Sequence, residues 1–303
     1  MKLEIEIKAE KGIYENITPW KYFALKNAKK DDLEYIIPSK SMLTKFSENP
    51  EKWITNPPFI KTASMTEGSL LDCMLLTPQL IETEFIVKPE DAPRRPTQAQ
   101  INAEKKSDKA KESIEYWEKF DLRSKNKEVI TKNQVANAKK ALKKIKANKK
   151  CNEIVENSSK QAVCIAEYRG FLVKGMFDMI PDENGESGDS IVDLKRTSAF
   201  APRAFSGIIR KFKYHWQAGL YRWLYKEATG KERQKWKFMI SDAEDPYGCG
   251  LLTMHEDDIK RGEDEVFEAL DQYIDCIEKQ NFPNPYNREK ELTIKSFSDI
   301  FND

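Results

Sequence analysis

The middle of the chain alternates apolar and polar positions with the period of a β-strand. Runs reading QAVCIAEY, FLVKGMFDMI and SIVDLKRT are short and rich in valine, isoleucine and aromatic residues, and they lie between residues 161 and 197. Arg169 and Gly170 separate the first two runs, and the turn-forming segment PDENGESGD separates the second from the third. This spacing predicts consecutive strands paired as an antiparallel meander.

Helical periodicity surrounds this predicted sheet. The segment SKSMLTKFSENP predicts a short helix with Ser39 or Ser41 as its N-cap, and EGSLLDCMLLTP predicts another with an apolar stripe. Farther along, the pattern predicts one long helix from Pro202 to Gly230, with Phe212 among the residues that face the core. KWKFMIS and GCGLLTM predict two more strands, and DEVFEALDQYIDCIEKQ predicts a last helix.

Residues 93 to 150 differ from the rest because they are polar, lysine-rich and helix-prone. The segment TKNQVANAKKALKKIKANKK has one apolar face at helical spacing and lysine on the opposite face. We therefore expect a helical insertion in an α/β fold whose central mixed sheet is flanked by helices. No Pro/Gly/Ser linker separates a second core, so the sequence predicts one domain over residues 1–303.

Composition limits the classes of partner and compartment. The chain has 303 residues, and its 51 basic and 50 acidic side chains nearly cancel, so any affinity for a polyanion must come from local clustering. Its five cysteines include no C-x-x-C pair, which disfavours a disulfide framework or a zinc cage and favours a reducing cytoplasm. No run approaches the roughly 18 apolar residues of a membrane helix, so we expect an intracellular protein without a membrane partner.

Three charged residues stand inside these apolar strands. Asp193 and Lys195 are two apart in IVDLKR, so both project from the same face of the sheet. Asp178 lies on the preceding strand, which the PDENGESGD turn folds back, so it approaches Asp193 across the strand pair. The sequence thus predicts two carboxylates and one ammonium group on a small surface.

Two interpretations of this cluster remain open. The residues could form a solvated edge or a salt bridge, which is the commoner meaning of an isolated D-x-K in a strand. Alternatively, two neighbouring carboxylates repel each other unless a cation lies between them, and Mg²⁺ prefers such oxygen ligands together with water and phosphate. The apolar surroundings favour the second interpretation, because unpaired buried charges are costly. A lysine beside that metal can hold or deprotonate a water molecule.

The ordered set of motifs resembles a known family. GMFDMI, IVDLK and a helix carrying QAGLY look like the PD-(D/E)XK nucleases, and within them the RecB-like group with its Q-x-x-x-Y signature. SKSMLTKFSENPEKW followed by EGSLLDCMLLTP is similar to the N-terminal part of phage and prophage RecE-type exonucleases, also called exonuclease eight. The likeness spans residues 35 to 280 and implies a restriction-endonuclease-like core.

The resemblance implies roles for the residues that match its motifs. Asp178 would match the first metal-binding aspartate, Asp193 the acid of the D/E-x-K element and Lys195 its lysine. The backbone carbonyl of Leu194 would be an extra metal ligand. The implied cofactor is Mg²⁺ or Mn²⁺, and the lysine would position the attacking water.

Other positions complete or depart from the family pattern. Gln217 and Tyr221 would match the Q-x-x-x-Y pair, and because i and i+4 share a helix face, both could reach one DNA strand. Asp72 stands where the RecE-type helix usually has the histidine of G-x-x-x-H; it is either a further metal ligand or a surface aspartate near a helix end. Phe177 replaces the proline of the family name. Glu167 is a candidate additional acid.

Basic residues suggest where DNA could bind. No acid occurs from residue 129 to 152, where eight lysines accumulate, so this segment is either a DNA-guiding surface or a solvated helix face. The residues better placed for phosphate contact precede Gln217 in the predicted long helix: Arg203, Arg210, Lys211 and Lys213. Only two histidines occur, which leaves little for a histidine-based centre.

The sequence therefore predicts a metal-dependent DNA phosphodiester hydrolase. By resemblance, the substrate would be linear double-stranded DNA degraded from a 5′ end in phage-type recombination. The resemblance also implies a ring-shaped homo-oligomer and a single-strand annealing partner. The alternatives are a Cas4-like or structure-specific endonuclease on the same core, and a catalytically silent subunit that binds DNA ends.

Overall fold

The structure is a computed structural model that describes residues 10–15, 17–55 and 61–287. Its strands are β1 (Gly12–Tyr14), β2 (Asn27–Lys30), β3 (Leu33–Ile36), β4 (Phe85–Val87), β5 (Glu128–Ile130), β6 (Ser158–Tyr168), β7 (Phe171–Pro181), β8 (Ser190–Thr197), β9 (Lys235–Asp242) and β10 (Cys249–Thr253). Its α-helices are α1 (Pro19–Ala24), α2 (Lys40–Glu48), α3 (Pro50–Ile54), α4 (Ala63–Leu76), α5 (Ile81–Glu84), α6 (Gln98–Asn102), α7 (Asp108–Ser124), α8 (Lys132–Ala147), α9 (Lys149–Glu156), α10 (Pro202–Lys211), α11 (Tyr214–Thr229) and α12 (Glu256–Lys279).

The central sheet has the strand order β1-β6-β7-β8-β9-β10. Strands β6, β7 and β8 pair antiparallel, as the meander prediction requires, and β9 then pairs parallel to β8. The sheet is therefore mixed, which confirms the predicted α/β class. Two small sheets lie outside it, with β2 antiparallel to β3 and β4 parallel to β5.

A tight turn fixes the register of the longest hairpin. Arg169 and Gly170 both have positive φ, at 52° and 79°, so the chain reverses within two residues and pairs Tyr168 with Phe171. Glycine adopts this left-handed conformation without steric cost, whereas arginine does so at some cost. The pairing continues from this turn to Ser158 opposite Pro181, so the register fixed here extends along both strands.

Helices cover both faces of the sheet. On one face, α2, α11 and α12 pack over a core that includes Phe177, Trp236, Phe238 and Tyr273. On the other face, α4, α8 and α9 pack over Met179, Val192, Leu194 and Met239 in a second layer. Strand β8 contributes to both layers because alternate side chains point to opposite faces.

The predicted long helix from Pro202 to Gly230 is wrong in one respect. It is broken into α10 and α11 at Lys213, which has φ 50° and ψ 46°. Phe212, expected in the core, is 45% exposed at this break. The left-handed residue redirects the chain, so the basic helix α10 and the mostly buried helix α11 follow different axes.

The lysine-rich segment forms the expected helices. Ser107 caps α7, and Thr131 caps α8 in a capping box completed by Gln134. Strand β5 and the short helix α6 also lie within residues 93 to 150. The single-domain assignment stays a prediction, and it includes residues 1–9, 16, 56–60 and 288–303, which lie outside the described part. In that described part, we find no helix with the length and apolar character needed to cross a bilayer.

Helices α11 and α12 cross at two glycines, which gives a direct test of the fold. A Cβ on Gly262 would lie 2.0 Å from the carbonyl oxygen of His215, and one on Gly219 would lie 2.4 Å from the amide nitrogen of Glu263. These neighbours are backbone atoms, so relief requires the helices to move apart. We expect Gly262→Ala to lower the free energy of unfolding by about 1–3 kcal/mol in urea titrations.

Gly207 in α10 is the matched control, because a Cβ there would meet nothing within 4 Å. Gly207→Ala should be neutral or stabilise the protein by about 0.5–1 kcal/mol through the higher helix propensity of alanine. Equal effects of the two substitutions would contradict the close helix crossing.

Candidate active site

The site lies where β7 and β8 meet. The bridge between these strands pairs Met179 with Val192. Asp178 precedes Met179 and Asp193 follows Val192, so antiparallel pairing puts both acids at the same end of the bridge. This is the approach of the two carboxylates that the sequence predicts.

Asp193 is the most buried of the acids, with only 3% of its surface exposed. Its Oδ1 accepts a hydrogen bond of 2.7 Å from Nε2 of Gln217 on α11. Its Oδ2 forms an ion pair with Nζ of Lys195 and accepts no directional hydrogen bond. The carboxylate is thus oriented by a neutral donor on one oxygen and balanced by a cation on the other.

Asp178 is held by neighbours on both adjoining strands. Its Oδ2 accepts a hydrogen bond of 2.8 Å from the amide of Leu194, and the side chain of Gln161 on β6 bonds it as well. Burial, and then the charge of Asp193, raise the pKa of Asp178 to about 7, although Lys195 and these hydrogen bonds oppose the rise. Repulsion between the two carboxylates is therefore only partly relieved.

Asp72 on α4 joins the same charged cluster. Burial raises the pKa of Asp72 well above its usual value, and the nearby charges of Asp178 and Asp193 raise it further. Helix α4 is anchored to the sheet by Leu71 and Leu75, which pack in the layer beneath β8. Asp72 therefore lies within electrostatic range of Asp178 and Asp193, and the assignment of the three acids to one metal site stays a prediction.

Lys195 is the internal cation of the site. Burial opposes its charge, but Asp193, Tyr214 and Asp178 outweigh that effect and raise the pKa of Lys195 above its usual value. Its Nζ also lies 4.6 Å from the ring centroid of Tyr214, at the start of α11, in a cation–π contact. Lys195 is therefore protonated at neutral pH and acts as a donor.

The donor set suits a hard divalent cation. Asp72, Asp178 and Asp193 offer carboxylate oxygens, which Mg²⁺ and Mn²⁺ prefer. Across residues 10–15, 17–55 and 61–287, no group of three or more His, Cys, Asp and Glu side chains is placed so that it could hold a metal ion. Lys195 supplies the countercharge to Asp193 in this arrangement, and Oδ2 has coordination capacity left. A cation would remove the mutual repulsion of the acids, so the chemistry of the donor set fits a divalent ion, while the placement of the described side chains does not form a three-ligand site.

Two predicted site residues stand elsewhere than expected. Glu167 is exposed and pairs with Leu172, six residues along β7 from Asp178, so the structure does not bring it to the site. Tyr221 is 8% exposed and packs its ring 4.7 Å from that of Phe177. It lies in the core, so it does not reach outward as predicted for the Q-x-x-x-Y pair, and Gln217 points inward to Asp193.

The four basic residues proposed for phosphate contact fall into two groups. Arg203, Arg210 and Lys211 lie exposed on α10. Lys213 is half-buried at the helix break, where its Nζ donates to Oγ of Ser47 on α2 and stacks on the ring of Trp216. The first group has access to a substrate, while Lys213 joins α2 to α11.

Sequence reasoning missed Lys40, the first residue of α2. Its Nζ donates to the carbonyl oxygen of Phe212 at 2.5 Å and lies 5.4 Å from the ring centroid of Tyr214, the same ring that Lys195 contacts. Burial, followed by repulsion from Lys195, lowers the pKa of Lys40 to about 7. Gln161 was missed too, because its positive φ of 52° leaves no recognisable pattern.

An ion pair ties the acid-bearing helix to the acid-bearing strand. Nη1 of Arg196, directly after Lys195 on β8, lies 2.6 Å from Oε2 of Glu67 on α4, and its Nη2 donates to the carbonyl of Ala243 at 2.9 Å. The Arg196 and Glu67 side chains are 10% and 26% exposed, so solvent screens them little. This contact holds α4 near β8 against the repulsion among the acids.

Comparison with known proteins agrees with this architecture. The sequence profile of the PDDEXK-like domain of unknown function matches residues 39–290. Among solved structures, a proposed exonuclease from Eubacterium rectale is similar, with a TM-score of 0.53 and 13% sequence identity over 87% of this chain and 92% of that chain. At this identity the likeness shows the fold alone. No curated protein matches the chain.

The raised pKa values predict how stability depends on pH without divalent metal. Between its unfolded value of 3.8 and its folded value of about 7, Asp178 holds more protons in the folded protein than in the unfolded chain. Stability should therefore fall as pH rises through this window, and Asp72 acts in the same direction. Thermal unfolding in EDTA from pH 5 to 8 measures this, and Asp178→Asn should flatten the profile. A profile that rises with pH would contradict the mutual repulsion.

Breaking the ion pair between Arg196 and Glu67 should affect both the stability of the protein and the Mg²⁺ concentration that it requires. We expect Glu67→Gln to lower the free energy of unfolding by about 1–2 kcal/mol, because the guanidinium loses its charged partner. It should also raise the Mg²⁺ concentration that gives half-maximal thermal stabilisation, since α4 is held less firmly. Glu118→Gln, at an exposed position on α7, is the control. An unchanged Mg²⁺ requirement would show that the pair serves stability alone.

Proposed function

The chain belongs to the PDDEXK-like family, and we propose that it is a divalent-metal-dependent exodeoxyribonuclease that degrades linear double-stranded DNA. The observation that carries this proposal is the electrostatic interaction of Asp72, Asp178 and Asp193 with one another and with Lys195, whose side chain is 18% exposed and paired with Asp193. A purely structural cluster would be expected to balance its charges. Here three acids interact with one lysine, and the pKa values of two of them, Asp72 and Asp178, are raised.

In this proposal the three carboxylates, with the carbonyl of Leu194, would hold Mg²⁺ or Mn²⁺. When bound, the ion lowers the pKa of a coordinated water and neutralises charge on the phosphate oxygens. The backbone N–H of Leu194 donates to Asp178, so this residue of β8 orients one acid, and its carbonyl would be the backbone ligand. Gln217 fixes the rotamer of Asp193 through Oδ1 and leaves Oδ2 directed toward Lys195.

Lys195 would position the attacking water or a phosphate oxygen. Its raised pKa means that it donates hydrogen bonds at neutral pH and is a poor general base. The ring of Tyr214 supports its ammonium group from one side, which limits the directions in which it can donate. An ammonium group has three N–H donors, so Lys195 could pair with Asp193 through one of them and reach the substrate through another.

Action on DNA ends is the finer part of the proposal. It is supported by the RecE-type motifs in the sequence and by the fold shared with the proposed exonuclease from Eubacterium rectale. We propose cleavage from the 5′ end toward the 3′ end in phage-type recombination, in the cytoplasm of a bacterial or phage-infected cell. A homo-oligomeric ring around the duplex and a single-strand annealing partner belong to the same proposal.

Substitution of the central residues tests the enzymatic assignment. Lys195→Ala and Asp193→Asn should each reduce cleavage at least about 100-fold, because each removes a group placed at the reacting phosphate. Both variants should still bind duplex DNA. Lys260→Ala, on the exposed surface of α12, is the matched lysine control and should retain full activity.

The assay uses linear duplex labelled at either the 5′ or the 3′ end, with Mg²⁺ or EDTA. Early release of labelled nucleotide from one end supports an exonuclease and gives its polarity, whereas internal fragments from closed circles would indicate an endonuclease. Binding without cleavage in Mg²⁺ and Mn²⁺ would indicate a DNA-end-binding subunit. Full activity in both variants would refute the roles assigned to these residues.

A further inference from the structure

Helix α8 presents a face of lysines that the proposed chemistry does not use. We define the α8 lysine face by its exposed members: Lys139, Lys140, Lys143, Lys144 and Lys146. The opposite side of α8 is buried, with Ala138, Ala141 and Ile145 at 4% exposure or less. The amphipathic helix is thus held by its apolar side, and its lysines point to solvent.

The charges on this face are poorly compensated. Lys140 lies 3.9 Å from Asp245, a distance at the limit of an ion pair. Within the described ranges, no carboxylate is paired with Lys139, Lys143, Lys144 or Lys146. Solvated helix faces usually alternate charge sign, but no acid occurs between residues 129 and 152. The face is therefore a local concentration of positive charge on a chain with a net charge of only +1.

Helix stability alone does not explain these lysines. Like charges at i and i+4, as in Lys139 with Lys143 and Lys140 with Lys144, destabilise a helix by about 0.2–0.5 kcal/mol per pair. The helix dipole favours cations only in the last turn, which accounts for Lys144 and Lys146. The mid-helix lysines need another explanation, and an external polyanion supplies one.

Under the proposed function, the position of α8 near the acids indicates that this polyanion is DNA. Helix α8 packs on α4, the helix that carries Asp72, through a small core that includes Leu70, Met74 and Ala138. Packed helices lie about 8–10 Å apart and are about 10–12 Å wide. One interaxial distance plus half the width of each helix puts the lysine face roughly 20 Å from Asp72. At a rise of about 3.4 Å per nucleotide, this distance corresponds to about six base pairs.

We propose that the α8 lysine face is a second contact for duplex DNA, which binds backbone phosphates about six base pairs from the cleaved bond. This inference rests on the proposed function. Lys139 and Lys146, with Lys143 between them, are seven residue steps apart on the helix, about 10 Å, which covers about three phosphates of one strand. Such contacts are electrostatic and independent of sequence, as an enzyme that moves along DNA requires.

Salt dependence of binding tests this surface directly. The probe is a fluorescent 30-base-pair duplex bound by the Asp193→Asn protein in EDTA, with anisotropy measured from 50 to 200 mM NaCl. Changing Lys139, Lys143 and Lys146 together to Gln should reduce the slope of log K against log salt by about 2–3, at about 0.9 per phosphate contact, and weaken binding at least tenfold at 100 mM. The same triple change should leave thermal stability equal or higher.

A matched control separates this surface from net charge. Changing Lys29, Lys52 and Lys260 to Gln removes the same charge from exposed positions on β2, α3 and α12. We expect that variant to keep the wild-type slope. If the two triple variants share one slope, or if the slope loss is the same on a duplex of six base pairs, the assignment of this face to distant duplex phosphates is overturned.

Cleavage measurements distinguish failure of this inference from failure of the proposed function. In the wild-type background, the α8 triple variant should cleave the small diester bis(p-nitrophenyl) phosphate at the wild-type rate and lose activity only on long duplexes. A wild-type protein that cleaves DNA while the α8 variant keeps its salt slope refutes the surface alone. A slope loss in a protein that cleaves no diester supports the surface and refutes the nuclease.

Discussion

The repulsion among three carboxylates, one buried and two half-buried, is the constraint on which the rest of the structure depends. Asp72, Asp178 and Asp193 approach one another in surroundings that raise two of their pKa values, and one adjacent ammonium group balances only part of the charge. Burying such charges costs several kcal/mol per unpaired ion, so the fold must supply compensating contacts around them. The same imbalance is what a bound cation would relieve under the proposed function.

The compensation comes from contacts that join elements across the site. Arg196 ties β8 to α4 through Glu67, while Gln217 ties α11 to β8 through Asp193. Apolar layers on both faces of the sheet hold these elements in place, since each carries buried side chains beside its polar one. The acids are thus positioned by packing that does not depend on a bound ion, and binding need only relieve their repulsion.

The sequence predicted what short-range periodicity determines. Period-two alternation predicted the strands from 161 to 197, and the spacing of Asp193 and Lys195 correctly predicted that they share a face. Long-range packing determined the rest. Lys40 lies far along the chain from Tyr214, and no local pattern indicates their contact. Lysine has good helix propensity, so nothing at Lys213 predicts a left-handed residue; tertiary contacts with Ser47 and Trp216 override that propensity.

The helix break at Lys213 gives α10 and α11 separate axes, which one continuous helix would not have. A straight helix from Pro202 would place the exposed arginines of α10 and the buried face of α11 on a single axis. The angle between the residues that reach the acids and those that reach solvent would then be fixed by the helix itself. The left-handed conformation of Lys213 removes this constraint. Helix α11 can then direct Gln217 and Tyr214 inward at Asp193 and Lys195, while α10 keeps its basic residues at the surface. The small cost of one left-handed residue allows the acid cluster and the exposed basic residues of α10 to be arranged independently.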